Sequence, residues 1–127
     1  MSTDLRPGAQ RRIVIATPEP AVARILSHKL AREGHDVTSV ATSQALEDAI
    51  GTGTIDVALI DLQIAGDRAN AIGRRLSAGW LAIIDGRQPQ LAEPAMHAGA
   101  AGLVRTPFKP TEVAAQVATL LTLAPAL

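Results

Sequence analysis

Residues 13–20 read IVIATPEP, and this short stretch decides the fold. Four apolar residues, three of them β-branched, predict a buried strand over residues 13–16. A helical pattern follows over residues 18–33, with its apolar positions at Val22, Ile25, Leu26 and Leu30. We interpret Thr17 as the N-cap of this helix and Pro18 as its first residue. A strand that runs directly into a helix is the first unit of an α/β fold.

The same alternation of strand and helix continues along the chain. Further strands are predicted at residues 37–40, 55–60, 81–84 and 102–104, and further helices at residues 43–50, 69–77, 90–98 and 110–123. The segment 37–40 is more polar than the others, which indicates a strand nearer an edge. Strict alternation predicts a parallel sheet with helices on both faces, and right-handed crossovers favour a doubly wound sheet.

Length and composition exclude several function classes. The 127 residues favour one domain, which we place at residues 11–123 between a flexible lead-in (1–10) and a short tail (124–127). Without cysteine there is neither a disulfide framework nor a thiolate metal site. Equal numbers of acidic and basic residues, 12 of each, argue against a nucleic-acid partner. No apolar run reaches the roughly 18 residues that span a bilayer, so we expect no membrane partner and a cytoplasmic location.

Polar residues follow several of the predicted strands. In doubly wound sheets, functional sites gather beyond the carboxyl ends of the strands. The residues at these ends are Thr17, Pro18, Asp61, Asp85, Gly86, Thr106 and Pro107. No nucleophile–base pair or metal-ligand cluster is visible among them, so we do not expect an enzyme.

Three stretches together resemble the receiver domain of bacterial response regulators. They are RRIVIATPEP at 11–20, IDVALIDLQIAGD at 55–67 and HAGAAGLVRTPFKPTEV at 97–113. In this order, and with the five-fold alternation, the resemblance covers residues 11–123. It implies a flavodoxin-like five-stranded parallel sheet of strand order 2-1-3-4-5 and a role in two-component or phosphorelay signalling. The domain could equally stand alone or be part of a hybrid kinase.

Receiver domains carry five functional positions, and this sequence keeps one of them. In the family, two acids after the first strand hold Mg²⁺ together with a phospho-accepting Asp, while a Ser or Thr ends the fourth strand and a Lys ends the fifth. Asp61 matches the phospho-acceptor. Thr17 and Pro18 fall at the acidic pair, Asp85 at the Ser/Thr position and Thr106 at the Lys position.

These departures weaken phosphotransfer for reasons of charge. Mg²⁺ requires near-octahedral oxygen ligands that usually include carboxylates, so we expect no metal site unless Asp61 is itself phosphorylated. A phosphoryl group beside Asp85 would add a like-charge contact, which costs roughly 4 kcal/mol at about 4 Å and an effective dielectric of about 20. The resemblance therefore implies a pseudo-receiver that acts through protein contact and needs no cofactor.

Two other functions stay open from the sequence. Asp61 could still accept a phosphoryl group from a partner, or its carboxylate could simply be satisfied by backbone N–H groups or arginine. Asp85 could imitate an activated state, share a proton or a cation with Asp61, or begin an Asp-Gly turn. Arginine forks suit phosphates, so an anionic ligand such as a cyclic dinucleotide is an alternative, with the candidate residues Arg68, Arg74, Arg75 and Arg87.

A partner surface is expected around the fifth strand. In receivers, the helix before this strand, the strand itself and the helix after it form the usual contact face. The matching residues here are Ala95, Ala98, Leu103, Val104 and Arg105. The expected partners are a histidine kinase, a phosphotransferase or another signalling protein, or a second copy of the chain in a homodimer.

Overall fold

Five parallel strands form one sheet in the order β2-β1-β3-β4-β5. The computed structural model describes residues 11–123, so the predicted lead-in and tail lie outside the described residues. The strands are β1 (Arg12–Ala16), β2 (Asp36–Val40), β3 (Val57–Asp61), β4 (Gly79–Asp85) and β5 (Gly102–Thr106). The predicted α/β class, strand order and edge position of β2 are confirmed.

Among residues 11–123, five helices lie between successive strands and a sixth follows β5. They are α1 (Pro20–Arg32), α2 (Ser43–Gly51), α3 (Leu62–Ala65), α4 (Ala69–Gly73), α5 (Ala92–His97) and α6 (Pro110–Leu123), with 3-10 turns at Gly66–Arg68 and Pro89–Leu91. In the part of the chain that the structure describes, no helix is long and apolar enough to cross a membrane.

The sheet buries a separate apolar core on each face. Successive strand residues point to opposite faces, so Ile13 and Ile15 pack under α1 and α6 while Val14 and Ala16 pack under the remaining helices. The central strand β3 is buried on both faces, which explains its continuous apolar run. Trp80 of β4 is also buried.

The interpretation of Thr17 and Pro18 as a helix start is wrong. The first helix begins at Pro20, with Glu19 at the N-cap position. Thr17 is buried just beyond β1, and its N–H donates to the Val40 carbonyl of β2 at 3.1 Å. The second proline of the stretch, Pro20, supplies the helix-compatible backbone at the first turn.

The predicted helix at 69–77 is also different in the structure. Helical structure begins earlier, at Leu62, and the last helix of the segment ends at Gly73. The chain then turns, because the N–H groups of Ser77 and Ala78 donate to the carbonyls of Ile55 and Asp56 at 3.3 and 2.7 Å. These bonds align β4 beside β3 and leave no room for a longer helix.

Candidate functional site

The carboxyl edge of the sheet opens into a cleft with a volume of about 710 Å³. Ala16 lies opposite Ile60, so Thr17 and Asp61 follow on adjacent strands, and Asp85 lies directly opposite Thr106. Thr17, Asp61, Asp85 and Thr106 all line the cleft. The structure therefore brings together four of the seven residues that the sequence placed at the strand ends, whereas Pro18, Gly86 and Pro107 do not line the cleft.

Asp61 is a partly buried carboxylate at the start of α3. Its Oδ1 accepts a hydrogen bond from the Gln63 N–H at 3.0 Å, so the predicted backbone partner is present. Burial raises the pKa of Asp61 above its ordinary value, the Gln63 N–H lowers it, and the nearby Glu19 raises it again. The net direction is upward, so the site disfavours the negative charge of this carboxylate.

Glu19 is the residue of the cleft that sequence reasoning missed. It lies two residues beyond Thr17 and lines the same cleft as Asp61. The interpretation of residues 17–18 as a helix cap placed Glu19 on the helix, outside the site. The available signal was an acid within three residues of the end of a buried strand.

Asp85 forms a compact ion pair with a neighbour in its own turn. Its carboxylate accepts from the Arg87 backbone N–H at 2.8 Å, from Nε at 3.2 Å and from Nη2 at 3.0 Å. The Arg87 side chain, and then its N–H, hold the pKa of Asp85 below its ordinary value. The Asp85 carboxylate is therefore held by Arg87, and the sharing of a proton or a cation with Asp61 stays a prediction.

The predicted Asp-Gly turn is confirmed. The Gln88 N–H donates to the Asp85 carbonyl at 2.9 Å and closes the turn. The Gly86 N–H donates to the Thr106 carbonyl at 2.9 Å, and a Cβ at Gly86 would collide with that same carbonyl oxygen. Glycine is therefore required where the end of β4 packs against the end of β5.

The two threonine hydroxyls of the cleft each form a hydrogen bond with a backbone group. Thr17 Oγ1 accepts from the Glu19 N–H at 3.1 Å. Thr106 Oγ1 donates to the Ile84 carbonyl at 3.4 Å. Each hydroxyl closes a local contact at its own strand end.

Solved structures with the same architecture are response-regulator receivers. A response regulator receiver protein from Burkholderia phymatum is 22% identical, with a TM-score of 0.74 over 92% of this chain and 99% of its own. A two-component response regulator from Clostridium difficile is 15% identical, with a TM-score of 0.79 over 90% and 98%. The chemotaxis response regulator CheY4 of Vibrio cholerae is 18% identical, with a TM-score of 0.75 over 88% and 99%.

The chain has the receiver-domain fold. The likeness spans nearly the full length of these chains, and at such low identity it establishes the fold alone. A scan of protein-family models gave no match to the sequence, and a search of curated proteins gave none either.

The Mg²⁺ that the receiver fold implies does not fit the residues of this cleft. Thr17 and Pro18 stand where two carboxylates would be needed, and the Asp85 carboxylate is held by Arg87. Among residues 11–123, no group of three or more His, Cys, Asp or Glu side chains could hold a metal ion. Asp61 and Glu19 alone offer too few hard oxygen ligands for a near-octahedral site.

The four arginines predicted as an anion site are not brought together on the receiver fold. Arg87 pairs with Asp85 at the carboxyl edge, and Arg68 pairs with Glu47 of α2 at 2.7 Å. Arg74 and Arg75 precede β4 at the opposite edge of the sheet, about 20 Å away across the 7 residues of this strand. The four arginines therefore do not line one site, and the binding of an anionic ligand such as a cyclic dinucleotide stays a prediction.

Two residues of the predicted contact face cannot reach a partner. Ala95 and Val104 are buried and pack into the two cores, because α5 and β5 turn these side chains toward the sheet interior. Ala98 and Leu103 are partly exposed and Arg105 is exposed, so these three remain at the surface. The neighbouring Met96, which the prediction did not include, is 47% exposed and enlarges this face.

Proposed function

We propose that this chain is an atypical receiver domain of two-component signalling that acts by protein contact, with Mg²⁺-dependent phosphorylation largely lost. The similarity to receiver structures supports the signalling role. The charge of the cleft supports the loss of phosphorylation. One observation carries the proposal. Asp61 lies near the negatively charged Glu19 in the cleft, and among the described residues the only cationic side chain that lines the cleft, Arg87, is paired with Asp85.

The arrangement opposes a phosphoryl group on Asp61 in two ways. The phosphoryl group would add negative charge at Asp61, where burial and Glu19 already disfavour the ionised form of the carboxylate. Transfer also requires cations directed at the phosphoryl oxygens. Thr106 replaces the lysine at the end of β5, and the nearest lysine along the chain, Lys109, lies at 3.8 Å from Glu112.

Intact-protein mass spectrometry tests this proposal. The chain is incubated with a small phosphodonor and Mg²⁺, alongside an Asp61→Asn variant. We expect no mass increase in either protein. A phosphoryl adduct that appears in the wild type and disappears in Asp61→Asn would contradict the proposal.

A charge-restored variant supplies the matched positive control. It carries Thr17→Asp, Pro18→Asp, Asp85→Thr and Thr106→Lys, and circular dichroism checks that it is folded. We expect this variant to gain the phosphoryl adduct, because it restores the acids and the ammonium around Asp61.

The second candidate is a receiver that is phosphorylated at Asp61. It is favoured by the place of this carboxylate, which lies at the end of the central strand and lines an open cleft. In that case Mg²⁺ would bind only together with the phosphoryl group. The same mass measurement separates the two candidates.

The proposed partners follow from a contact function. They are a histidine kinase, a phosphotransferase or another signalling protein, with a homodimer as the alternative, in the cytoplasm of a bacterial cell. The exposed part of the face around β5, namely Met96, Ala98, Leu103 and Arg105, is one candidate surface. On this proposal the chain is a regulator and has no catalytic activity of its own.

A further inference from the structure

A groove on the outer side of α1 combines positive side chains with a small apolar surface. It has a volume of about 620 Å³ and lies between α1 and Pro110, the first residue of α6. Ile25 lines this groove and is 47% exposed, although its place in the helical pattern predicted a core position. The other residues that line the groove are Arg24, His28, Lys29, Arg32 and Glu33.

Two guanidinium groups of this groove have no carboxylate partner in the described part of the chain. Neither Arg24 nor Arg32 makes an ion pair or a side-chain hydrogen bond there. The one acid of the groove, Glu33, is paired with Lys29 at 3.3 Å. The groove therefore has an excess of positive charge, although the whole chain has equal numbers of acidic and basic residues.

The two unpaired arginines are placed to hold one anion between them. Arg24, His28 and Arg32 recur at every fourth residue, so they form a single row along α1 that is about 12 Å long. The long arginine side chains can both turn toward His28 at the middle of this row, where the imidazole offers a further polar contact. Guanidinium forks bind phosphoryl oxygens in pairs, so two linked phosphoryl groups above His28 would each meet one fork.

The apolar part of the groove offers a surface for a flat ring. Ile25 and Pro110 line the groove together, beside the row of cations. An aromatic ring that covers them would remove their exposed apolar surface from water. A nucleotide carries such a ring and its phosphoryl groups in one molecule, so its two parts match the two surfaces of the groove.

We propose that this groove binds a nucleotide with two phosphoryl groups. Arg24 and Arg32 hold the phosphates. The base covers Ile25 and Pro110. The site shares no lining residue with the cleft at Asp61. It also differs from the anion site predicted from the sequence, and it gives the chain a small-molecule ligand in addition to the proposed contact function.

Isothermal titration calorimetry of the full chain tests the proposal with four probes. They are adenosine diphosphate, guanosine diphosphate, adenosine and pyrophosphate, in a buffer of low salt with EDTA so that no divalent cation covers the phosphates. We expect at least one of the two nucleotides to bind about fivefold more tightly than pyrophosphate and about tenfold more tightly than adenosine, because both parts of the ligand contribute. The affinity for the nucleotide should fall as salt rises.

Matched variants locate the site. Arg24→Glu with Arg32→Glu removes two attractive contacts and introduces two repulsive ones, so we expect Kd for the nucleotide to rise about tenfold or more. Arg74→Glu with Arg75→Glu makes the same change of net charge at the amino edge of the sheet, and Kd should stay within about twofold of the wild type. Ile25→Ser should raise Kd for the nucleotide about threefold and leave Kd for pyrophosphate unchanged. Circular dichroism checks that all three variants are folded.

Several results would overturn the nucleotide site. They are no binding of either nucleotide, pyrophosphate binding as tightly as the nucleotides, equal weakening by the two charge-reversal variants, and an unchanged nucleotide affinity in Ile25→Ser. Cosedimentation with phosphatidylserine vesicles, without binding of a nucleotide, would also overturn it, because the phosphate would then belong to a lipid. The phosphodonor test concerns Asp61 alone, so the failure of nucleotide binding would leave the proposed loss of phosphorylation standing.

Discussion

Asp61 matches the phospho-acceptor position of receiver domains, and its carboxylate has a structural role in this chain. It keeps its place at the end of β3, and its carboxylate serves as the N-cap of α3 through the Gln63 N–H. Burial and Glu19 raise its pKa. The Asp61 side chain therefore caps the first turn of α3, and ionisation of its carboxyl group lowers the stability of the folded protein.

Replacing this charge should stabilise the protein at neutral pH. The folded state holds the Asp61 proton more tightly than the unfolded chain, so ionisation lowers stability at pH values above the ordinary pKa of 3.8. Asp61→Asn keeps a side-chain oxygen for the Gln63 N–H. We expect it to raise the free energy of unfolding near pH 7, with a gain that shrinks toward zero as the pH falls below about 4.

Urea unfolding at several pH values measures this difference. Asp85→Asn is the contrasting variant, because Arg87 holds the pKa of Asp85 down and its charge is favourable in the folded state. A loss of stability in Asp61→Asn near pH 7 would show that the Asp61 charge is favourable and would remove one support of the proposed function.

Asp56 has a structural role that its sequence position did not reveal. It is 8% exposed, and its carboxylate accepts from the Arg12 N–H at 2.9 Å and from Ser77 Oγ at 2.6 Å. These bonds tie the starts of β1, β3 and β4 together. Asp56→Ala would remove two part-buried hydrogen bonds to a charged acceptor, so we expect a loss of about 2 kcal/mol in the free energy of unfolding.

Thermal and urea unfolding check the Asp56 prediction. The matched control is Asp48→Ala, on the exposed face of α2, which should change stability by no more than about 0.5 kcal/mol. Equal effects of the two substitutions would contradict the structural role of Asp56.

The sequence predicted the place of residues that lie at the ends of strands. It did not predict the roles of residues that act through contacts with distant parts of the chain. Asp61 and Asp85 fall at strand ends because apolar runs end there. Glu19 and Asp56 act through partners that the fold brings near, and one-dimensional patterns carry no such information. The burial of Ala95 and Val104 depends in the same way on the side of α5 and β5 that faces the sheet.

Strands were easier to predict than the helices that follow them. A buried parallel strand is a continuous apolar run bounded by polar residues, so β1, β4 and β5 were found within two residues. The segment after β3 is divided into two short helices and a 3-10 turn, since the Asp61 side chain starts a helix at once and the bonds of Ser77 and Ala78 end the segment early. Local periodicity over residues 69–77 could not show either constraint.

The turn between α1 and β2 contains a histidine that links stability to pH. Burial lowers the pKa of His35 below its ordinary value of 6.5, Arg11 lowers it further, and Glu33 and Asp56 act in the opposite direction. The folded protein therefore binds this proton less tightly than the unfolded chain. Stability should fall as the pH falls through about 6.5, because protonation then favours the unfolded state.

His35→Gln isolates this effect. We expect the wild type to lose stability between about pH 7.5 and pH 5.5, and the variant to lose less over the same range. His28→Gln, on the exposed face of α1, is the matched control for the substitution itself. Parallel pH curves for the wild type and His35→Gln would contradict the prediction.

The two cores explain why the fold does not depend on the residues at the five receiver positions. Apolar side chains alternate across the sheet and pack under helices on both faces, and none of the five receiver positions supplies a large side chain to these cores. Function is carried by a site placed on a fold, so the site can change while the cores stay intact. The departures at Thr17, Pro18, Asp85 and Thr106 are compatible with this architecture.

The proposed loss of phosphorylation rests on the surroundings of Asp61, where the described residues of the cleft include too few carboxylates for Mg²⁺ and no lysine. A crystal structure determined with Mg²⁺ and beryllofluoride, which imitates a phosphoryl group on a carboxylate, would reveal whether either binds. We expect an empty cleft, with the Asp61–Gln63 hydrogen bond and the Asp85–Arg87 ion pair unchanged. Beryllofluoride bound to Asp61 with Mg²⁺ beside it would show that the site still accepts a phosphoryl group.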